Sequence, residues 1–248
     1  MKLAIVTDIH GNLAALEAVA ADIRRRGADR VVNLGDSLSG PLLPRETAQF
    51  LMDAGWLSLA GNHERQILTH GPERIGASDA YALAQLTAPE LDWLRGLAAT
   101  ARLDGGIFLC HGTPSSDIEY FLETLLPGQG QTRAATPAEV ALRLGDESAG
   151  LVACGHTHIP RVLRSARGQL LVNPGSVGLG AYDDELPEPH VVETGSPDAR
   201  YAMLERLPGG GWTAALLSVP YHHEAMAQLA QQRGRPEWAQ ALRTGYVR

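Results

Sequence analysis

The chain has 248 residues, of which 44% are hydrophobic and 20% are charged, and its formal net charge is −7 at pH 7. This length can bury a sizeable core, and the acidic balance argues against a general binder of nucleic acids or anionic membranes. No apolar run approaches the roughly 18 residues that a membrane helix needs, and the N-terminus reads as a strand, not as a signal peptide. We therefore expect a cytoplasmic protein with no membrane partner and no stable nucleic-acid partner.

The N-terminal part of the chain alternates between short apolar runs and amphipathic segments. Strands are predicted over residues 2–8, 30–36 and 56–64, and helices over residues 12–27 and 45–55. Gly27 and Gly55 follow the two helical patterns, where C-terminal caps are expected. This βαβαβ order predicts a parallel sheet with helices packed on it.

The pattern changes in the middle of the chain. Residues 65–100 read as mostly helical, residues 106–111 and 150–158 as two further apolar strands, and residues 137–145 as a helix. Residues 113–136 contain proline and glycine and are predicted to form a long loop. Loops of this length are usually functional, so we expect this one at the rim of a site.

The C-terminal part is predicted to be rich in strands. A hairpin is expected after Val162 with its turn at Gly168, and residues 183–199 are expected to form an exposed acidic loop. The apolar spacing from His223 to Leu242 predicts one amphipathic helix. Because there is no internal repeat and no low-complexity linker, we expect a single domain over residues 1–248.

Side chains that can bind metals follow the ends of the predicted strands. They are Asp8, His10, Asp36, Asn62, His111, His156 and His158. Loops at the carboxyl ends of strands converge on one crevice in an open α/β sheet, so we expect these side chains to lie together. Any one of them could be an ordinary loop residue, but all of them in this order favour a metal site. Imidazole and carboxylate ligands suit Mn, Fe, Co, Ni or Zn better than Ca.

The same segments resemble a known family. The stretches DIHGN from Asp8, GD at residues 35–36, GNHE at 61–64, HG at 111–112 and GHTH at 155–158 match the five blocks of the calcineurin-like metallophosphoesterases. The short chain and the NPGS at 173–176 are similar to the small bacterial and archaeal phosphodiesterase-type branch. The resemblance implies a four-layer αββα sandwich, with two mixed β-sheets flanked by helices and a dinuclear metal site at the strand C-terminal ends.

The resemblance also implies roles for individual residues. One cation would be held by Asp8, His10, Asp36 and His158, and the other by Asp36, Asn62, His111 and His156. His63 would be the general acid, Asn62 and His63 would contact the substrate, and Asp8 would add a catalytic, orienting role to its role as a ligand. A metal-bridging hydroxide would attack a phosphodiester bond. Two divalent ions are expected, Mn first, with Fe, Ni, Co or Zn as alternatives.

The chain departs from the phosphoprotein-phosphatase branch of this family. That branch has one arginine soon after the GD block and another just before GNH, whereas here GDSLSG supplies none and Ala60 occupies the second place. Without two guanidinium groups on the phosphate, serine/threonine phosphatase and symmetrical dinucleoside tetraphosphatase activities are disfavoured. Arg65, Arg161 and Arg164 could still reach a substrate or be surface charges. Tyr120 could stack on an aromatic group of the substrate or anchor its loop.

Three functional hypotheses follow. The first is a phosphodiesterase that acts on a small phosphate ester, and the second is a phosphomonoesterase or nucleotide phosphatase on the same centre. The third is a non-catalytic, metal-binding scaffold that works through protein contacts. All seven ligands and His63 are retained, which disfavours the scaffold. The sequence leaves a homo-oligomer open.

Overall fold

Two five-stranded mixed β-sheets form the centre of the molecule in the computed structural model, which describes residues 1–248. The strands of the first sheet are β1 (Lys2–Val6), β2 (Arg30–Asn33), β3 (Leu57–Ser58), β13 (Ala199–Arg206) and β14 (Trp212–Val219). They lie in the order β14–β13–β1–β2–β3, with β1, β2 and β3 parallel and the remaining pairs antiparallel. The predicted βαβαβ unit is thus confirmed.

The second sheet has the same plan, with parallel strands at its centre. Its strands are β4 (Thr100–Leu103), β5 (Ile107–Cys110), β8 (Leu151–Ala153), β9 (Arg161–Arg164) and β10 (Leu170–Asn173). They lie in the order β4–β5–β8–β10–β9, and β5, β8 and β10 are parallel. The edge strands β4 and β9 are antiparallel to their neighbours. The predicted hairpin with its turn at Gly168 is the β9–β10 pair.

The chain has eight helices, six between strands and two after the last strand. They are α1 (Leu13–Arg26), α2 (Pro44–Ala54), α3 (Asn62–Thr69), α4 (Ala77–Gln85), α5 (Ala88–Arg95), α6 (Pro137–Leu144), α7 (His223–Gln232) and α8 (Pro236–Thr244). None of them has both the length and the apolar character that crossing a bilayer would require.

Alternation along the strands separates the layers. Leu3 and Ile5 of β1 belong to a core cluster that also contains Leu109 of the second sheet. Their neighbours Ala4 and Val6 point the other way, into a cluster with the apolar face of α1. On the far side of the second sheet, α6 packs on outward-facing residues of β5 and β8 in the same manner. The order helix–sheet–sheet–helix confirms the predicted αββα sandwich.

Two of the predicted loops contain short hairpins instead. Within residues 113–136 the strands β6 (Glu123–Leu126) and β7 (Gln131–Ala134) pair, and β11 (Ala181–Asp184) pairs with β12 (His190–Glu193) across the acidic segment 183–199. The prediction of unstructured loops was wrong because strands of four residues show too little alternation to be told from a loop. Strands β7 and β12 lie side by side, so the two hairpins form one unit.

The predicted single C-terminal helix is two helices. Helix α7 ends at Gln232 and α8 begins at Pro236. Between them Gly234 has φ +74°, a left-handed conformation that glycine adopts without strain. Pro236 lies in the first turn of α8, where its missing N–H removes no helical hydrogen bond. The break lets α7 and α8 fold back on each other.

Candidate metal centre

The polar side chains that follow the parallel strands meet at one edge of the two sheets. Two groups of them could each hold a metal ion, and the ligand atoms within each group lie within 4.8 Å of one another. The first group is Asp8, His10 and His158, and the second is Asp36, His111 and His156. Asn62 is buried beside them. Loops from both sheets therefore converge as the sequence predicts, and they place the two histidines of GHTH in different groups.

Three of the four candidate-ligand histidines turn Nδ1 to a backbone carbonyl. These contacts join Nδ1 of His10 to Ser39 at 2.8 Å, Nδ1 of His158 to Leu179 at 2.8 Å, and Nδ1 of His111 to Leu34 at 2.9 Å. A carbonyl only accepts, so each Nδ1 carries a proton, and each Nε2 of a neutral ring keeps a lone pair. Nε2 of His10 and Nε2 of His158 face each other at 3.1 Å. A cation shared by these two lone pairs would stabilise the arrangement.

His156 has the opposite orientation. Its Nε2 lies 3.1 Å from the carbonyl of Ile118, which leaves Nδ1 as the free nitrogen. Burial, together with the nearby His111, lowers the pKa of His156 to about 4. Burial and the nearby His158 lower the pKa of His10 to about 4 in the same way. Both rings are therefore neutral near pH 7, the form that ligates a metal.

The two aspartates lie close to the histidines of both groups. Oδ2 of Asp36 lies 3.0 Å from Nε2 of His111, and Oδ1 of Asp8 lies 3.5 Å from Nε2 of His158 and 3.9 Å from Nε2 of His111. Oδ1 of Asp8 and Oδ1 of Asn62 are buried without a hydrogen-bond partner. Buried polar atoms are normally paired, so two unpaired oxygen atoms in one cluster fit divalent cations as their missing partners.

The backbone at the centre is in a rarely populated conformation. The chain has five non-glycine residues with positive φ, and all five are candidate ligands: Asp8, His10 and Asp36 at +53°, His156 at +68° and His158 at +56°. Such a conformation costs roughly 1–3 kcal/mol per residue and tends to occur at functional sites. The fold therefore holds the backbone in a strained conformation at five of the candidate ligands.

Glu64 joins the loops that follow β2 and β3. Its buried carboxylate accepts hydrogen bonds from the backbone N–H groups of Asp36, Ser37 and Gly61, each at 2.8 Å. The loops approach so closely that a Cβ at position 61 would lie 2.2 Å from Oδ1 of Asp36. Glycine is therefore required there. The sequence contains Glu64 in the GNHE block, but its pattern does not reveal this supporting role.

Replacing Glu64 with alanine should destabilise the metal-free protein by about 3 kcal/mol or more. The change leaves three buried N–H donors without an acceptor, and each orphaned donor costs roughly 1–3 kcal/mol. Urea denaturation of the wild type and of Glu64→Ala in the presence of a chelator measures this difference. Glu73→Ala, at an exposed position, is the matched control and should change the free energy of unfolding by less than about 0.5 kcal/mol. A similarly small effect of Glu64→Ala would contradict the supporting role.

His63 lies between the centre and the solvent, with 29% of its side chain exposed. Its Nδ1 lies 2.8 Å from Oδ1 of Asp79, and its Nε2 lies 3.9 Å from Oδ2 of Asp36. Burial disfavours the charged ring, but the charge of Asp36 and the hydrogen bond to Asp79 outweigh this and raise the pKa of His63 to about 9. The ring can therefore hold a proton at Nε2. Asp79 was missed in the sequence because it resembles an ordinary acidic residue in the first turn of a helix.

Asp79→Asn should lower kcat roughly tenfold to a hundredfold if the enzyme uses His63. The carboxylate makes a charge-assisted hydrogen bond worth about 1.5–3 kcal/mol, and an amide holds the ring less firmly. The measurement compares Asp79→Asn, His63→Ala and the double variant under saturating substrate. In the double variant Asp79→Asn should have no further effect, because its only route to the reaction is through His63. Additive losses in the double variant would show that Asp79 acts independently.

Two tyrosines cover the outer side of the GHTH histidines. The ring of Tyr120 packs edge-on against His156 with a centroid distance of 5.2 Å, and the ring of Tyr182 packs against His158 at 4.7 Å. Their hydroxyl oxygens are 2.6 Å apart, and the hydroxyl of Tyr120 lies 2.8 Å from Nε2 of His190. Of the two roles considered for Tyr120, the structure favours the loop anchor.

A cleft of about 670 Å³ opens beside the centre. Asn62 and His63 line it. Two candidate ligands of each group also line it: His10 and His158 of the first group, and Asp36 and His156 of the second. One wall comes from α3, α4 and the loop between them. The opposite wall comes from the β11–β12 turn and from α8. A bound ester would therefore touch His63 and both ligand groups at once.

The three arginines considered from the sequence do not line this cleft. They bind to protein groups instead: Arg65 to Asp117, Arg161 to Glu123, and Arg164 to the carbonyl of Gly168. Of the two roles considered for them, the structure favours surface charges, because each guanidinium is bound to a protein group outside the cleft. Arg74 and Arg235 line the cleft in their place, and neither stands out in the sequence.

A model of a known protein family matches most of this chain. The family model described as the calcineurin-like phosphoesterase superfamily domain matches residues 1–194. These residues include all seven candidate ligands, His63 and Asp79, and they end before β13, β14, α7 and α8.

Relatives resemble the chain over nearly its whole length. The uncharacterized protein MJ0912 of Methanocaldococcus jannaschii is 26% identical over 249 residues, which covers 95% of this chain and 94% of the relative. The crystal structure of a metallophosphoesterase from Sphaerobacter thermophilus has a TM-score of 0.76 and 26% identity, with 99% of this chain and 100% of that chain covered. The protein PH1004 of Pyrococcus horikoshii OT3 has a TM-score of 0.72 at 17% identity, with 99% and 98% covered, a likeness of fold alone.

Proposed function

Because the chain belongs to the calcineurin-like phosphoesterase superfamily, we propose that it hydrolyses phosphodiesters, with two divalent cations and with His63 as the general acid. The family implies a hydrolase with a dinuclear centre, and the two ligand groups fit that centre. The observation that carries the proposal is that both ligand groups line the same cleft as His63, a histidine that belongs to neither group.

The proposed ligand sets use the atoms left free by the protein. Asp8, His10 and His158 would hold one cation, and Asn62, His111 and His156 the other, with Asp36 shared between them. When bound, the cations would neutralise charge on the phosphate oxygens and make a water acidic enough to deprotonate near neutral pH. Mixed nitrogen and oxygen ligands without a thiolate are compatible with Mn, which we propose as the metal.

The chain's own groups would complete the reaction. Nδ1 of His63 is fixed by Asp79, so Nε2 is the atom that would protonate the leaving oxygen. Such general acid catalysis contributes about 10²–10⁴-fold in rate. Asp8 would orient the centre, because its Oδ2 accepts a hydrogen bond from the backbone N–H of His156 at 3.1 Å. Asn62, with its free Oδ1, would lie next to the bound phosphate.

The arrangement of charges around the centre supports a diester over a monoester. Four aspartates line the cleft, namely Asp36, Asp79, Asp183 and Asp184, and so do Arg74 and Arg235. A phosphodiester carries one negative charge and a monoester up to two. No arginine makes a hydrogen bond or an ion pair with any candidate ligand, so no guanidinium is placed at the centre to bind the second negative charge of a monoester.

The experiment compares bis-p-nitrophenyl phosphate with p-nitrophenyl phosphate after chelation and re-addition of Mn²⁺, with His63→Ala as a control. Metal-restored hydrolysis that favours the diester and is slower in the variant is the expected result. Preference for the monoester would establish the phosphomonoesterase alternative. Absence of hydrolysis of both esters by protein that holds its cations would contradict the proposal and favour the scaffold.

A further inference from the structure

Two arginines, Arg74 and Arg235, line the cleft beside the candidate metal centre, together with acidic side chains and the histidines. They come from different parts of the chain: Arg74 from the loop between α3 and α4, and Arg235 from the residue that precedes α8. Arg235 lies beyond the residues matched by the family model. The common catalytic domain therefore does not account for this part of the cleft.

The guanidinium of Arg235 is held in place by three partners. Its Nε lies 2.5 Å from Oε1 of Glu237, its Nη1 lies 3.2 Å from Oγ of Ser78, and its Cζ lies 5.7 Å from the ring centre of Trp238. Trp238 itself is 9% exposed and packs tightly on Gly40. Only two of the five N–H donors of this guanidinium are used by side chains. The Nη2 group has no hydrogen-bond partner in the protein, so a preorganised donor remains available to a ligand.

Arg74 is the less restrained member of the pair. Its side chain is exposed and makes no hydrogen bond and no ion pair with the protein. Arg65, which lies near the start of α3, is in contrast held by both oxygens of Asp117. An unpaired guanidinium at the rim of a cleft can move to meet an anion that Arg235 has already engaged.

The position of Arg235 separates it from the reacting phosphate. It contacts Trp238, and the ring centre of Trp238 in turn lies 6.0 Å from that of His10. No hydrogen bond or ion pair joins Arg235 to a candidate metal ligand. A substrate phosphate seated on those ligands would therefore leave Arg235 facing an adjacent part of the substrate.

We propose that Arg235, assisted by Arg74, forms a subsite for a second anionic group of the substrate, a phosphate or a carboxylate on one arm of the diester. This inference rests on the proposed function, since it takes the scissile phosphate to lie at the metal centre. The planar guanidinium suits such a group, because it can offer two parallel N–H donors to phosphate or carboxylate oxygens. Glu237 occupies only the Nε side and leaves the Nη2 side open.

A binding experiment tests the subsite without requiring turnover. Isothermal titration of the Mn²⁺-loaded protein would compare thymidine 5′-monophosphate with thymidine 3′,5′-bisphosphate. The wild type should bind the bisphosphate about 10–100-fold more tightly, the range expected for a charge-assisted hydrogen bond. Arg235→Gln should lose this preference, Arg74→Gln should lose part of it, and Arg235→Lys should retain part of it. Arg243→Gln, on α8 and ion-paired with Glu224, is the matched control and should keep the full preference.

The result that overturns the proposal is an equal affinity of the wild type for both nucleotides, or no binding of either, or a preference that survives in Arg235→Gln. A 3′-O-carboxymethyl derivative of the monophosphate distinguishes a carboxylate from a phosphate as the preferred group. If Arg235→Gln were to unfold, the exposed Arg74→Gln variant would still report on the subsite.

Hydrolysis of the p-nitrophenyl esters of the same two nucleotides separates the two proposals. Turnover of both esters with equal kcat/KM would overturn the subsite while leaving the phosphodiesterase intact. A binding preference without hydrolysis of either ester would support the subsite and contradict the phosphodiesterase.

Discussion

Asp36→Asn is expected to lower metal-dependent kcat/KM by about a thousandfold or more and to weaken cation binding at both groups. Bound cations supply several kcal/mol of transition-state stabilisation, and each tenfold in rate corresponds to about 1.36 kcal/mol. The substitution conserves the shape of the side chain and removes its charge. If Asp36 is shared by two cations, its loss should affect both.

The environment of Asp36 explains why this single change should have so large an effect. The side chain is almost fully buried, and its Oδ1 accepts a hydrogen bond from the backbone N–H of His63 at 3.0 Å. The free Oδ2 lies among the ligand atoms, 3.0 Å from Nε2 of His111. The carboxylate of Glu64 accepts a hydrogen bond from the backbone N–H of Asp36 and so fixes the backbone there. The carboxylate is therefore held in place by the fold, and the variant should still fold.

The measurement of this effect pairs kinetics with cation content. Asp53→Asn, at an exposed position on α2, is the matched control and should retain both cations and full activity. Asp36→Asn should lose cations and rate together. Full hydrolysis by Asp36→Asn with an unchanged cation content would contradict the role of Asp36.

His63→Ala is expected to lower kcat by about 10²–10⁴-fold while leaving the cation content unchanged. The reason is that Nε2 of His63 faces the cleft, whereas its Nδ1 is occupied by Asp79 and not by a candidate ligand. The loss should depend on the leaving group. An alkoxide needs a proton far more than p-nitrophenolate does, so a phosphodiester with a methoxide leaving group should suffer more than the matching diester with a p-nitrophenolate leaving group.

The leaving-group comparison distinguishes acid catalysis from a general structural defect. Equal losses on good and poor leaving groups would show that His63 serves binding or charge stabilisation instead. The control is His222→Ala, an exposed histidine at the start of α7, which should leave both rates within about twofold of the wild type.

Much of this site could be predicted from the sequence, because its residues obey local rules. Apolar runs that end in Asp8, Asp36 and His111 indicate strands with polar loops at their carboxyl ends, and those loops do converge. The uninterrupted apolar run of Leu3, Ala4 and Ile5 indicates a strand buried on both faces. These patterns lie within a few residues of each other and need no knowledge of distant contacts.

The remaining features depend on contacts between distant segments. Asp79 meets His63 only because α4 packs beside α3, and Arg235 meets Ser78 across 157 residues of sequence. The left-handed backbone of residues such as His156 is likewise imposed by the fold. Histidine and aspartate adopt this conformation more readily than most side chains, but it is uncommon for both, so their identity does not predict it. Periodicity and spacing describe neighbours along the chain and carry no information on contacts between residues that are far apart in sequence.

A dinuclear centre can be counted by equilibrium dialysis of chelator-treated protein against Mn²⁺ at pH 8, with hydrolysis of bis-p-nitrophenyl phosphate followed in the same samples. We expect two ions per chain in the wild type, fewer in Asp36→Asn, and activity that rises with occupancy of the centre. One ion or none in fully active wild-type protein would contradict a two-metal phosphodiesterase.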